Sequence, residues 1–139
     1  MKGEAADLHI PTIKALSNAT LSSGQLKLYA FEGDDAVGCV ELYNYDPVNL
    51  RAAVGIVVST NLRRRGYASA MLAELAQFCQ QNTPLHQLYA DIAAPNVPSI
   101  HLFERAGYTL CGTFTDWVVK DDAYINTLRY QFILESQHH

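Results

Sequence analysis

Arg63, Arg64 and Arg65 stand directly before Gly66-Tyr67-Ala68-Ser69, and the flanking residues suggest a use for them. Ahead of them, Val54 to Ser59 is a nearly unbroken apolar, β-branched run, the pattern of a strand buried on both faces. Behind them, Ala68, Met71, Leu72, Leu75, Ala76 and Cys79 recur at three- and four-residue intervals, which predicts a helix opening at Gly66. A strand, a basic turn and a glycine-opened helix can hold a phosphate. The first-turn N–H groups lack intrahelical acceptors, and the helix dipole puts partial positive charge at that end. Gly66 lets a ligand approach the backbone closely, and Ala68 keeps bulk off the same surface. No Lys-Ser or Lys-Thr pair follows, which excludes a nucleoside-triphosphate loop, and dinucleotide glycine spacing is absent. The bland alternative is a glycine that starts a helix and three arginines on a solvated turn.

These residues need a frame. The chain has 139 residues, 49% hydrophobic and 17% charged, which predicts one domain over 1–139 with a substantial core. A net charge of −4 argues against nucleic acid as a partner and is compatible with a cationic amine. Cys39, Cys79 and Cys111 are odd in number and widely spaced, so neither a disulfide framework nor a zinc motif is expected. Their apolar neighbours predict buried thiols. His9, His86 and His101 lack ligand spacing, and no metal is expected. No signal peptide is visible, and no apolar run approaches the ~20 residues of a membrane span. The expectation is a cytoplasmic protein without membrane contact.

Residues 1–25 read as a short helical region, with a helix over Pro11 to Leu21. Leu26 to Phe31 and Val37 to Tyr45 form a hairpin about Glu32-Gly33-Asp34-Asp35, and Asp46-Pro47-Val48-Asn49 turns the chain into the strand at Val54. Asn82-Thr83-Pro84 stops the long helix, and His86 to Ile92 is a further strand. Asn96 caps a second helix that tolerates Pro98 in its first turn and stops at Gly107. Thr109 to Val119 and Tyr124 to Leu134 close the chain as a hairpin. A right-handed crossover sets the strands on either side of the long helix parallel. The fold class is α/β, a mixed sheet with helices packed on it.

Arg63-x-x-Gly66-x-Ala68 matches the pattern Arg/Gln-x-x-Gly-x-Gly/Ala, and Asn96-x-x-Ser99-x-x-Leu102-Phe103-Glu104-x-x-Gly107-Tyr108 follows in order. Together with Val37 to Leu42 and Arg51 to Ile56, these motifs resemble the GNAT superfamily of acyl-CoA-dependent N-acyltransferases. The likeness is greatest to the spermidine and ribosomal-protein N-acetyltransferase branch, over roughly Leu26 to Leu134. The resemblance implies that family's mixed central sheet, here without the usual first strand. It implies acetyl-CoA as cosubstrate and an amine acceptor, either a small amine or polyamine or a peptide N-terminus. It sets the pyrophosphate on the backbone of Arg63, Arg64, Arg65, Gly66, Tyr67, Ala68 and Ser69. It pairs the pantetheine arm with Ile56, Val57 and Val58, where two parallel strands splay and a backbone N–H can serve the oxyanion. Asn96 approaches the cofactor as well as capping its helix.

The catalytic groups depart from the family pattern. Phe103 stands where a tyrosine commonly acts as acid, and is read as packing beside the pantetheine. Ser99, one turn earlier, is an alternative acid or a plain first-turn residue. Ala53 replaces a frequent carboxylate. Glu41 falls where polyamine-acetylating relatives carry a glutamate, as base, amine-binding group or exposed strand residue, and Asp116 falls where acidic residues also occur. Tyr124 and Tyr130 read as sheet packing. Direct transfer within a ternary complex, with the proton leaving through water, needs no dedicated base. The alternatives are a catalytically degenerate acyl-CoA-sensing module and an unrelated α/β domain without CoA. A sheet lacking its first strand would expose an edge and favour pairing of two copies.

Overall fold

The computed structural model describes residues 12–15, 21, 24–58 and 66–135. In chain order these form β1 (Thr12–Ala15), β2 (Leu26–Glu32), β3 (Asp35–Asp46), β4 (Arg51–Val58), α1 (Tyr67–Asn82), β5 (Gln87–Ala93), α2 (Val97–Arg105), β6 (Thr109–Lys120) and β7 (Ala123–Ile133). The seven strands make one sheet in the order β1-β2-β3-β4-β5-β7-β6. Every neighbouring pair is antiparallel except β4 and β5. The mixed sheet and the element order from Leu26 onward agree with the sequence reading.

The opening does not. In place of a helix from Pro11, Thr12–Ala15 is a strand that pairs antiparallel with β2, Thr12 opposite Phe31 and Ala15 opposite Leu28. A strand therefore does precede β2, and 16–20 lie outside the described residues. Thr12 and Ile13 are β-branched, and β2 offers an otherwise unpaired edge; pairing there outweighs a loose helical spacing.

Alternation along the strands sorts the two faces. Leu26, Leu42 and Val54 are register neighbours across β2, β3 and β4, and Ala52, Leu88 and Phe132 across β4, β5 and β7. This face belongs to the core, with Val40, Leu42, Ala52 and Leu88 fully buried. Both helices contribute to the same core, α1 through Met71, Leu72, Leu75 and Cys79, and α2 through Phe103. The hydroxyl of Thr83 donates to the Cys79 carbonyl and ends α1. Gly107, at φ +96°, lets the chain leave α2, and a Cβ there would press on the Phe132 ring at 3.1 Å.

The opposite face carries Glu41 and Tyr43 of β3, Tyr89 and Asp91 of β5, and Arg129 of β7. Arg129 is clamped there. It donates to both Asp91 carboxylate oxygens, at 2.7 and 2.9 Å, and lies 4.2 Å from the Tyr89 ring centre and 5.0 Å from that of Phe114.

Three burial expectations need correction. β4 is buried on both faces only over Ala52–Val54; Val57 is 62% exposed, because the sheet opens beside it. Cys79 is buried, Cys39 is half-buried, and Cys111 is exposed on the outermost strand. Tyr130 packs in the core and its hydroxyl donates to Glu104 at 2.9 Å, whereas Tyr124 is exposed near the hairpin tip.

Candidate functional site

The site begins where the parallel pair ends. β4 and β5 are in register only at Arg51–Gln87, Ala52–Leu88 and Ala53–Tyr89. On its other side β4 stays paired with β3 as far as Val58, opposite Gly38. From Val54 onward the β5-facing backbone groups of β4 thus have no ladder partner in β5, and a wedge opens between the strands. An extended ligand with amide groups could complete that edge as a strand would.

A cavity of about 580 Å³ occupies the wedge and continues between the two helices. β4 lines it with Ile56, Val57 and Val58, and the start of α1 with Gly66, Ala68 and Ser69. α2 supplies Asn96, Pro98, Ser99, Leu102 and Arg105. Two separate sequence motifs, the glycine loop and the Asn96 helix, therefore meet across one space.

Gly66 is the N-cap of α1 at φ 80°, ψ 2°, a left-handed conformation that costs other residues roughly 1–2 kcal/mol. Among the described residues no side chain caps this helix, and no acidic residue stands in its first turn. Its leading N–H groups lack intrahelical acceptors and can serve an anion. A Cβ on Gly66 would meet nothing within 4 Å, so the backbone angle, rather than crowding, requires glycine. The Tyr67 hydroxyl donates to Glu32, tying the first helical residue to the β2–β3 turn. Arg63, Arg64 and Arg65 lie outside the described residues.

On the facing helix, Asn96 Oδ1 accepts from the Ser99 N–H at 3.3 Å. The cap thereby fixes the turn that presents Ser99 to the cavity. Phe103, expected beside the cofactor, is 4% exposed and not part of the cavity wall; its ring meets Tyr108 edge-on at 4.9 Å. Tyr108 offers no proton to the cavity either. Its hydroxyl is buried with no hydrogen-bond partner among the described residues, and burial, with Cys79 nearby, pushes its pKa well up.

Glu41 sits on the face away from the helices, in register with Gly55, the residue before the cavity-lining Ile56. With Tyr43, Asn44 and Tyr45 it lines a second hollow. The Tyr43 hydroxyl is pushed up by burial and then by the Asp91 carboxylate, so it stays protonated near neutrality. Asp116 does not join this group. It is exposed at a bulge in β6, three places along the sheet from β4, where its N–H donates to Asn126 Oδ1 at 2.9 Å.

Sequence reading missed Pro98, Leu102 and Arg105 as wall residues, and Tyr43 beside Glu41. Ser99, Leu102 and Arg105 are spaced by three, so a helical wheel centred on Ser99 would have found two of them. Tyr43 follows from strand alternation, two residues beyond Glu41.

Residues 7–108 match the family model described as the acetyltransferase (GNAT) family. The spermidine N(1)-acetyltransferase of Vibrio cholerae is 22% identical over 102 residues, 73% of this chain and 58% of that protein. An L-amino acid N-acetyltransferase of Escherichia coli is 24% identical over 75 residues, 54% of this chain and 46% of that one. The chain thus spans about half the length of the curated relatives it matches. Among solved structures, V. cholerae spermidine N-acetyltransferase in complex with CoA and spermine superposes with TM-score 0.75 at 18% identity, over 81% of this chain and 68% of that one. A chimera of that enzyme reaches TM-score 0.81 at 14% identity, over 91% and 96%. At such identities these structures speak for the fold alone. The matched model covers most of the chain, including both motifs that meet at the cavity: the chain belongs to the acetyltransferase (GNAT) family.

Proposed function

We propose that this chain is a single-domain N-acetyltransferase that moves an acetyl group from acetyl-CoA to a primary amine by direct attack in a ternary complex. The observation that carries this reading is the opening of the parallel pair after Ala53–Tyr89, with an uncapped helix N-terminus facing the same cavity. The wedge suits the amide groups of a pantetheine arm, which would pair with the free edge of Ile56, Val57 and Val58. The N–H groups following Gly66 suit its diphosphate. With both anchored, the thioester lies near Ile56, where a β4 N–H can receive the carbonyl oxygen as it becomes an oxyanion.

The neutral amine attacks the thioester carbonyl, the C–S bond breaks, the amine nitrogen loses a proton, and the thiolate gains one. Ser99, which lines the cavity, is our choice for the proton to sulfur. Glu41, one register pair from the wedge, is our choice for drawing a cationic amine to the thioester. We assign Asp116 no step, because it stands apart from both. The comparisons name amines of two kinds, spermidine and L-amino acids. Arg129 is already held by both Asp91 oxygens and Arg51 pairs with Asp46, so among the described residues no free guanidinium on that face awaits a substrate carboxylate, which favours a polyamine or other simple amine.

A second reading, an acyl-CoA-sensing module without turnover, is favoured by Phe103, which has no proton to give. Calorimetric titration with acetyl-CoA, with Gly66→Trp as control, tests the binding that both readings share. Binding that is lost in the variant supports the cavity; none by the folded wild type refutes both. Free-thiol release with a panel of amines then separates them.

A further inference from the structure

We infer, resting on the acyl-CoA reading above, that Arg105 holds the ribose 3′-phosphate and makes the site prefer CoA esters to their 3′-dephospho forms. Ser99, Leu102 and Arg105 all face the cavity at three-residue spacing, spanning about 9 Å along α2 at ~1.5 Å per residue. The wall changes character along that line. Ser99 is polar and sits in the capped first turn, Leu102 is apolar, and Arg105 is exposed in the last turn. Among its described wall residues none is acidic, and Arg105 alone is charged.

The other described arginines are engaged. Arg51 pairs with Asp46 at 3.3 Å, and Arg129 with Asp91 at 2.7 Å. The Arg105 guanidinium makes no ion pair or hydrogen bond to any described residue. An acyl-CoA carries phosphate at two places, the diphosphate linker and the ribose monophosphate. Uncapped N–H groups at α1 suit the linker, which is bound through backbone and dipole. The monophosphate is a compact dianion at the outer end of the cofactor, and a planar guanidinium at the cavity rim matches it with two parallel N–H donors.

The test is a thermodynamic cycle. Wild type and Arg105→Gln are each titrated calorimetrically with acetyl-CoA and with 3′-dephospho-acetyl-CoA at low salt, after circular dichroism confirms that both are folded. Wild type should bind acetyl-CoA about tenfold more tightly than the dephospho form, the size of one charge-assisted contact at an exposed rim. Arg105→Gln should bind the two alike, at the wild type's dephospho affinity, and Arg105→Lys should keep part of the preference. Equal weakening of both ligands by Arg105→Gln would put the guanidinium on the diphosphate and overturn the inference. So would a wild type that does not discriminate, or a glutamine variant that still does. If wild type binds neither ligand, the acyl-CoA reading itself fails, an outcome distinct from the others.

Discussion

Gly38→Ala should damage the protein at one defined place, the outer end of the β3–β4 pair. A Cβ built on Gly38 would lie 2.4 Å from the Val57 carbonyl oxygen, 3.1 Å from Val58 Cα and 3.2 Å from Met71 Cε. The methionine end can swing aside, but two of the three neighbours are backbone. β4 must therefore shift or the strands must part. Overpacking of this kind costs about 1–3 kcal/mol. Taking about 2 kcal/mol and an unfolding entropy of ~2.1 cal/mol/K per residue over 139 residues gives a Tm lower by about 7 °C. Gly112→Ala is the matched control, since its Cβ would meet nothing within 4 Å on β6. There the loss of unfolded-chain freedom should leave stability equal or up to about 1 kcal/mol higher. Because Val57 and Val58 are cavity wall, Gly38→Ala should also weaken acetyl-CoA binding at temperatures where it is folded, and Gly112→Ala should not. Both are measured by thermal melts followed by titration. Equal melting temperatures for the two alanine variants would refute the packing argument.

Asn96→Ala should cost about 1 kcal/mol in urea denaturation through loss of the N-cap, while Asn96→Asp should recover most of it. In the folded protein Cys111 should react with a thiol reagent first and Cys79 last, as mass spectrometry of timed aliquots can show. Burial pushes the Cys79 thiol up to about 12 from an ordinary value near 9. The folded state then holds a proton that the unfolded chain gives up. The corresponding stability is complete below about pH 9 and is lost as pH rises towards about 12. Replacing Cys79 by Ala should make the decline between these values shallower, as denaturant midpoints across the range would show. Ser99→Ala should lower the rate constant of acetyl transfer by roughly 10²–10⁴-fold with acetyl-CoA affinity unchanged if the serine is the acid; an unchanged rate would remove it from the mechanism.

How much of this was legible follows from how local each signal is. Asn96, Pro98 and Gly107 announce α2 because capping, the first-turn tolerance of proline and a positive φ are decided within a few residues. Met71, Leu72, Leu75 and Cys79 announce α1 by period. Thr12–Ala15 is four residues long and owes its strand conformation to β2, which no local pattern discloses. The burial of β4 misled for a related reason. Val54 to Val58 has the composition of a doubly covered strand, but the covering neighbour departs after Ala53. Its valines form a wall because β5 turns away, and that is set by partners distant in sequence. Arg105 went unnoticed because its place in the wall depends on what lies across the cavity.

The same divergence links the two sides of the site. Ala53 and Gly55 project, by alternation, toward the face that carries Glu41 and Tyr43, and are their register partners. Ala53 is buried, and Tyr43 Cε1 lies 3.6 Å from where a Gly55 Cβ would be. The residue at position 55 therefore sets how much room there is beside Glu41 and Tyr43, next to the cavity-lining Ile56. Gly55→Val should take up that room. A branched side chain there would press on Tyr43, leaving the Gly66 end and acetyl-CoA binding intact while the acceptor's KM rises. Measured with saturating acetyl-CoA and a varied amine, a rise confined to acceptor KM supports entry from the Glu41 face. An equal loss of acetyl-CoA affinity, or no effect on either substrate, would place the acceptor elsewhere.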